Sequence, residues 1–195
     1  MSEIEITVMK KNEVDEAARV CSEAFVNTPF TKYIMGGSTE KHRKFLEKGM
    51  KRTLSLKHGT VMVAKNNGKI VGAMRMVEWP NCQNILKGMG YLITRLFIGK
   101  AAVRLRHWRK FVGQYDPQKR HYHIDPICVT PSHQGKGIGS ILMSYFNDYC
   151  DKNGIPGYFE TDQEQNVKFY EKNGFTMIKT VEVGPLPNWF LLRDN

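Results

Sequence analysis

The stretch Gln134-Gly135-Lys136-Gly137-Ile138-Gly139 follows an apolar run, residues 124–129, and begins a segment with helical periodicity. Glycines allow the backbone to turn sharply and to approach a ligand without side chains in between. The first N–H groups of a helix have no partners within the helix, and the helix dipole favours negative charge there. A strand that leads through glycines into a helix start therefore predicts an anion-binding loop.

The segment after these glycines has the spacing of one buried helix face, and Asn153-Gly154 supplies a helix end. Its apolar members are Ile138, Ile141, Leu142, Tyr145, Phe146 and Tyr149. Two common nucleotide-binding patterns do not match. No Lys-Ser or Lys-Thr pair closes the loop, and the glycine spacing is not that of a dinucleotide fingerprint. The loop is therefore compatible with a pyrophosphate ligand but not with the usual ATP and NAD folds.

Two motifs together resemble the GNAT superfamily of N-acetyltransferases. The pattern Gln134-x-x-Gly137-x-Gly139 is similar to the pyrophosphate-binding signature of that family, and residues 166–175 are similar to its second hallmark, in the family's order. The resemblance implies an α+β fold: a mixed, largely antiparallel sheet, splayed between its fourth and fifth strands, with helices on both faces. The C-terminal third is further similar to the puromycin-acetyltransferase-like branch, through residues 157–161 and a final strand that contains Trp189.

The resemblance also implies a reaction. Acetyl-CoA would be the donor substrate, and a primary amine would attack it directly in a ternary complex. We expect a small-molecule amine, because the similar branch acetylates antibiotics. Two alternatives stay open: a protein or peptide N-acetyltransferase, and a catalytically silent CoA-binding regulatory module.

The implied coenzyme site has three parts. The glycine loop would bind the pyrophosphate, the fourth strand would bind the pantetheine arm, and Asn166 would contact the coenzyme backbone. An N–H near Ile127 or Cys128 would polarise the thioester carbonyl. Pro126 lacks an N–H, so the strand should be irregular beside it. The expected coenzyme-binding residues are Ile127, Cys128, Val129, Gln134, Gly135, Lys136, Gly137, Ile138, Gly139, Ser140, Asn166 and Tyr170.

Acetyl transfer to an amine needs two proton handlers, one to accept the amine's proton and one to protonate the leaving thiolate. Tyr170 matches the usual acid of the family, and it lies four residues after Asn166 on one helix face. Asp125, Glu160 and His123 are the candidates for the base, with His121 a weaker one and a water chain as the alternative. Strand alternation places His121 and His123 on the side of Asp125.

The sequence predicts no metal site. His121, His123 and His133 raise the possibility, but His-x-His followed by Asp125 supplies no complete ligand set. The four cysteines are dispersed and show no paired metal-ligand spacing: Cys21, Cys82, Cys128 and Cys150. Cys128 has no histidine at an activating spacing, so we expect a buried apolar role rather than an acyl-carrying one.

Length and composition indicate one domain over residues 1–195, since 41% of the residues are hydrophobic. The resemblance implies that this is a single N-acetyltransferase domain. The acidic start does not resemble a secretory signal, and the longest apolar stretch, residues 85–103, is interrupted by charges. We therefore expect a soluble cytoplasmic protein, as a monomer or homodimer. The net charge is +10, and residues 40–120 hold 19 Lys and Arg against 4 Asp and Glu. No nucleic-acid motif accompanies this charge, so no nucleic-acid partner is expected.

Periodicity places the remaining elements. Residues 4–9 predict a strand, 13–25 and 39–56 two helices, and 26–33 an aromatic loop between them. Residues 60–64 and 70–77 predict a hairpin across Asn66-Asn67-Gly68. Apolar residues at helical spacing predict a helical insertion over about residues 83–118, with a break at Gly99-Lys100, between the third and fourth strands. This insertion could be a lid over the acceptor or an extra layer on the core.

Overall fold

A computed structural model describes residues 4–84 and 99–194, and within these ranges seven strands form one sheet. The order across the sheet is β1-β2-β3-β4-β5-β7-β6. The strands are β1 (Ile4–Val8), β2 (Thr60–Asn66), β3 (Lys69–Glu78), β4 (Tyr122–Val129), β5 (Gly157–Thr161), β6 (Thr176–Val183) and β7 (Leu186–Arg193). The predicted α+β class and the largely antiparallel sheet are confirmed.

Six α-helices lie within the described ranges, and none of them is long and apolar enough to cross a membrane. They are α1 (Val14–Phe25), α2 (Pro29–Met35), α3 (Glu40–Leu54), α4 (Lys100–Val112), α5 (Ile138–Asn153) and α6 (Glu164–Lys172). Both faces of the sheet carry helices, as expected. The helices α5 and α6 pack on one face, against a core that includes Leu142, Phe146 and Tyr170. The helices α1 and α4 contribute to separate cores on the other face.

Among the described strands, β4 and β5 form the one parallel pair, and they separate soon after they meet. Their pairing consists of Tyr122 with Gly157 and His123 with Tyr158. Beyond these two pairs the strands have no register, whereas the antiparallel neighbours β3–β4 and β5–β7 stay paired. The predicted splay between the fourth and fifth strands is therefore confirmed, and it opens a gap in the middle of the sheet.

A bulge lies in β4 at the proline. Met76 of β3 pairs with Ile124 and Met74 pairs with Ile127, so that Arg75 faces two residues, Asp125 and Pro126. This irregularity is the one predicted from the missing N–H of the proline. The bulge lies at the start of the gap, where β4 is no longer paired with β5.

Local sequence signals account for the predicted hairpin. The strands β2 and β3 meet across Asn67 and Gly68, whose φ angles are 50° and 76°. Both residues adopt the left-handed conformation that a two-residue hairpin turn requires. The predicted helices 13–25 and 39–56 correspond to α1 and α3 with small shifts at the ends.

The interpretation of residues 26–33 as a loop was wrong, because α2 begins within them. Thr28 caps this helix by accepting a hydrogen bond from Thr31 N at 3.2 Å, Pro29 occupies the first turn, and Gly36 ends the helix with φ 76°. These are the residue types typical of a helix start and end. The helical insertion is described only in part: α4 lies between β3 and β4, as predicted, and residues 85–98 lie outside the described ranges.

Candidate active site

The glycine loop meets the N-terminus of α5 in the predicted manner. Gly137 precedes the first helical residue and has φ 82°, and Gly135 has φ 73°. Apart from the adjacent residues, no described atom lies within 4 Å of the place where a Cβ would be at either glycine. The space around both glycines before α5 is therefore open, as an anion site at a helix start requires.

Gly139 is required for packing rather than for its backbone angle. A Cβ at this position would lie 3.2 Å from the ring of Phe169 on α6. This contact is tighter than ordinary van der Waals packing, so a larger residue would push α6 away from α5. The two predicted motifs are therefore in direct contact.

A cleft of about 590 Å³ runs along this loop. Its walls come from four places: residues 24, 25, 27 and 28 around the end of α1, residues 127–129 of β4, the glycine loop, and residues 163–170 in and just before α6. Every expected coenzyme-binding residue lines the cleft except Lys136. The Lys136 ammonium instead donates to the Ser132 carbonyl at 3.0 Å, which directs its side chain back over the loop.

Asn166 and Tyr170 line the cleft from one face of α6. Tyr170 is buried, and its ring packs against Phe159 of β5 with centroids 4.1 Å apart. Burial, together with the charge of Asp162, raises the pKa of Tyr170 above the ordinary value for a phenol. The hydroxyl is therefore protonated at neutral pH, which is the state that a proton donor needs.

The position of the Cys128 thiol does not suit a nucleophile. It lies in the core between the sheet and α1, and its sulfur is 3.1 Å from the sulfur of Cys21. Among the described residues, no hydrogen bond joins this thiol to a histidine. The contribution of Cys128 to the cleft is consistent with its backbone, which belongs to the β4 segment expected to hold the pantetheine arm.

The three candidate bases lie at the gap but on the opposite face of the sheet from α5 and α6. His123 Nε2 is 2.9 Å from a carboxylate oxygen of Glu160, and both side chains are largely buried. This contact joins β4 to β5 just beyond their last pair. Burial alone would lower the pKa of His123, but the Glu160 carboxylate and Cys82 more than offset it and raise that pKa.

Asp125 contacts two arginines rather than a histidine. Its carboxylate lies 3.6 Å from the guanidinium of Arg109 on α4, and its carbonyl accepts from Arg75 at 3.3 Å. Burial acts to raise the pKa of Asp125, but Arg109, His123 and Arg75 together lower it. His121, the weaker candidate, donates from Nδ1 to the Lys119 carbonyl at 2.8 Å, and burial lowers its pKa to about 4.

Helices α2 and α4 cover this face near the gap. The rings of Phe30 and Trp108 meet with centroids 4.6 Å apart, and Arg104 donates to the Tyr33 carbonyl at 2.9 Å. The N–H of Phe30 also donates to the carboxylate of Asp162, just after β5, at 2.7 Å. The gap therefore has the cleft on one side, and on the other side it has buried polar side chains next to α2 and α4.

The comparison with known families agrees with this architecture. Residues 24–175 match the model described as the acetyltransferase (GNAT) family. The chain belongs to the GNAT family of acetyltransferases. Members of this family take the acetyl group from acetyl-CoA. The family match spans the glycine loop, β4, β5 and α6 of this GNAT chain, and so all of the site described above.

One curated relative of this GNAT chain is the uncharacterized N-acetyltransferase YjcF of Bacillus subtilis, with 26% identity over 84 residues. The match covers 42% of this chain and 60% of the relative. The chain therefore matches less than two thirds of that relative's length.

Solved structures show the same fold at low identity. One similar structure is the histone acetyltransferase HPA2 and related acetyltransferase from Corynebacterium glutamicum. It superposes with a TM-score of 0.73 and 16% identity, over 100% of this chain and 97% of the other. The polyamine N-acetyltransferase of Drosophila melanogaster, which forms N-acetylagmatine, has a TM-score of 0.67 and 13% identity. The superposition covers 97% of this chain and 98% of the Drosophila chain. At these identities the similarity establishes the fold alone. It leaves the puromycin-acetyltransferase-like branch a prediction.

Sequence reasoning missed three residues that the structure places at the gap: Arg75, Arg109 and Cys82. Arg75 had a visible signal, because it is the one charged residue in the apolar run 70–77. Arg109 is one of many basic residues in the segment 40–120, and Cys82 is one of the four dispersed cysteines, so neither has a signal of its own in the sequence. Their positions depend on contacts between distant parts of the chain, which local periodicity does not encode.

Proposed function

We propose that this chain transfers an acetyl group from acetyl-CoA to the primary amine of a small molecule, by direct attack in a ternary complex. The observation that carries the proposal is a single cleft lined by the glycine loop, the segment of β4 that no longer pairs with β5, Asn166 and Tyr170. Acetyl-CoA supplies an acetyl group activated as a thioester. The open space in front of Gly135 and Gly137 fits a pyrophosphate held by the N–H groups of α5.

The residues of the chain divide the remaining tasks. The backbone of Ile127 and Val129 holds the extended pantetheine arm where β5 no longer pairs with β4. The Tyr170 hydroxyl gives a proton to the leaving sulfur. Glu160, held in place by His123, accepts the proton of the amine from the other side of the gap. Asp125 is the weaker candidate for this role, because Arg109 already pairs with its carboxylate.

The two helices that cover this face of the gap favour a small acceptor over a peptide. The helices α2 and α4 contact each other through Phe30 and Trp108 above the gap, whereas a peptide substrate would need an open groove. The carboxylates of Asp125 and Glu160 suit a cationic amine, and the two aromatic rings suit its apolar part. The Drosophila enzyme that forms N-acetylagmatine shows that this fold can accept such amines.

Release of free thiol from acetyl-CoA tests the proposal. The protein is incubated with acetyl-CoA and, separately, with simple amines, polyamines, aminonucleosides and lysine peptides. We expect thiol release that depends on a small amine and is slower with every peptide. Faster thiol release with a peptide would contradict the small-molecule acceptor and indicate a peptide acceptor instead. Coenzyme binding without acceptor-dependent release across the panel would instead indicate a silent CoA-binding module.

Replacing Gly137 by valine tests the anion site separately from the chemistry. Valine is strained at φ 82°, and its side chain would fill the space in front of the α5 N-terminus. We expect coenzyme A affinity to fall by roughly ten- to a hundredfold, the loss that one or two charge-assisted hydrogen bonds would cause. Isothermal titration calorimetry measures the affinity directly.

Gly68 supplies the matched control for this variant. It has a similar left-handed backbone, with φ 76°, and no described atom lies within 4 Å of the place of its Cβ. It lies in the β2–β3 turn, outside the cleft. Gly68→Val should therefore show the same backbone strain with unchanged coenzyme affinity. If both variants and the wild type bind coenzyme A with equal affinity, the glycine loop is not the anion site.

A further inference from the structure

Three buried side chains with metal-binding atoms meet behind the candidate base. Cys82 follows β3, and His121 and His123 lie at the start of β4. Their exposed fractions are 6%, 1% and 6%, and the sulfur and one nitrogen of each ring lie within 4.8 Å of one another. A thiol and two imidazoles are an unusual group to bury together, because each ring offers a strong polar atom that needs a partner.

Two of these ring nitrogens have no such partner outside the cluster. Nε2 of His121 and Nδ1 of His123 are buried and make no hydrogen bond with any described residue beyond the cluster itself. Buried polar atoms in proteins are nearly always hydrogen-bonded or bound to an ion or water. Other described residues also have buried side-chain atoms without a hydrogen bond, but these two atoms face the same cluster, and so they point to a ligand there.

The other nitrogen of each ring is held in the way that metal-binding histidines are held. Nδ1 of His121 lies 2.8 Å from the Lys119 carbonyl, which can only accept, so Nδ1 carries the hydrogen and Nε2 has a free lone pair. Nε2 of His123 lies 2.9 Å from the Glu160 carboxylate, which leaves Nδ1 for the cluster. A carbonyl or a carboxylate behind each ring is the common arrangement around protein metal ions.

We propose that Cys82 Sγ, His121 Nε2 and His123 Nδ1 bind a divalent transition-metal ion, with Zn²⁺ the preferred one. A thiolate with two imidazoles is a ligand set that zinc favours, and hard cations such as Mg²⁺ disfavour it. Ligands of a tetrahedral zinc lie about 3.3–3.8 Å apart. The cluster therefore contracts by about 1 Å at its widest separation when the ion binds. Three protein ligands leave a fourth position for water.

The site differs from the expectation drawn from the sequence, in which the histidines lacked a complete ligand set. The missing ligand is Cys82, which precedes the insertion between β3 and β4. A metal ion here would hold the His123 ring, and through its Nε2 the Glu160 carboxylate, in a fixed position. The proposal does not depend on acetyl transfer, because it rests on the ligands alone.

Cobalt binding tests the site without an activity assay. The full-length protein is treated with a chelator, dialysed and titrated with Co²⁺. We expect one equivalent to bind, with the intense visible bands of four-coordinate cobalt and a thiolate-to-cobalt charge-transfer band in the near ultraviolet. Competition with Zn²⁺ should remove both signals. Absence of the charge-transfer band in the wild type would overturn the proposal.

Two cysteine variants locate the thiolate. Cys82→Ala should abolish the charge-transfer band and weaken metal affinity by roughly a hundredfold or more. Cys150→Ala is the matched control, because it removes a buried thiol from α5 on the other face of the sheet. An unchanged titration of Cys82→Ala, or an equal loss in both variants, would contradict the site. If Cys82→Ala does not fold, His121→Gln replaces it as the test. This variant keeps every thiol but removes one imidazole ligand, so it should lower the metal affinity, and an unchanged metal affinity would contradict the site.

Discussion

Tyr170→Phe is expected to slow acetyl transfer by about a hundredfold, while coenzyme A affinity stays nearly unchanged. General acid catalysis by a positioned side chain contributes on the order of 10²–10⁴ in rate. The variant removes the only proton that this side chain can give and keeps the ring that packs against Phe159 at 4.1 Å. Single-turnover mixing with acetyl-CoA and the best amine from the panel measures the chemical step, and calorimetry measures the affinity.

Tyr149→Phe is the control for this prediction. Tyr149 lies on α5, packs against Tyr122 with ring centroids 5.0 Å apart, and does not line the cleft. It should lose a hydroxyl without losing rate. A single-turnover rate for Tyr170→Phe that equals the rate of the control would exclude Tyr170 as the acid.

Glu160→Gln is expected to lower the rate by a similar factor, about a hundredfold, because the amide cannot take a proton from the amine. The change is nearly isosteric, so the contacts of β5 with β7 should persist. The effect should be confined to the chemical step and should leave coenzyme affinity unchanged. Assays after chelator treatment keep this loss separate from any loss of metal at the neighbouring cluster.

Two further variants sharpen the result. Glu182→Gln on the exposed side of β6 controls for the loss of a carboxylate, and it should have the wild-type rate. Asp125→Asn should reduce the rate less than Glu160→Gln, since the Asp125 carboxylate is paired with Arg109. The reverse order would transfer the role of base to Asp125. A wild-type rate in both variants would instead favour a water chain.

The parts of the fold that the sequence predicted are those with local causes. The glycines around residue 137 need left-handed backbone, Pro126 cannot join a ladder, and Asn67-Gly68 favours a tight turn. Each of these effects acts within a few residues, so one sequence reveals it. The helix α2 had local signals as well, in Thr28, Pro29 and Gly36. It was missed because its seven residues are too few to establish a periodicity.

The polar side of the site was predicted only as a set of alternatives. Sequence placed Asp125, His123 and Glu160 near the gap, but it could not say which carboxylate meets an arginine and which meets a histidine. Those pairings depend on the orientation of α4 and on the approach of β5 to β4. Such contacts follow from tertiary packing, and periodicity in one chain contains no information about them.

The gap between β4 and β5 is bordered by contacts between parts of the chain that are far apart in sequence. Phe30 and Asp162, which meet at one end, are separated by 132 residues, and Trp108 donates to Asn188 across 80 residues. Each of these contacts closes a large loop, which costs conformational entropy. A chain that forms the glycine loop and α5 without these contacts would lack the borders of the gap. We therefore expect catalytic competence only in the completely folded chain.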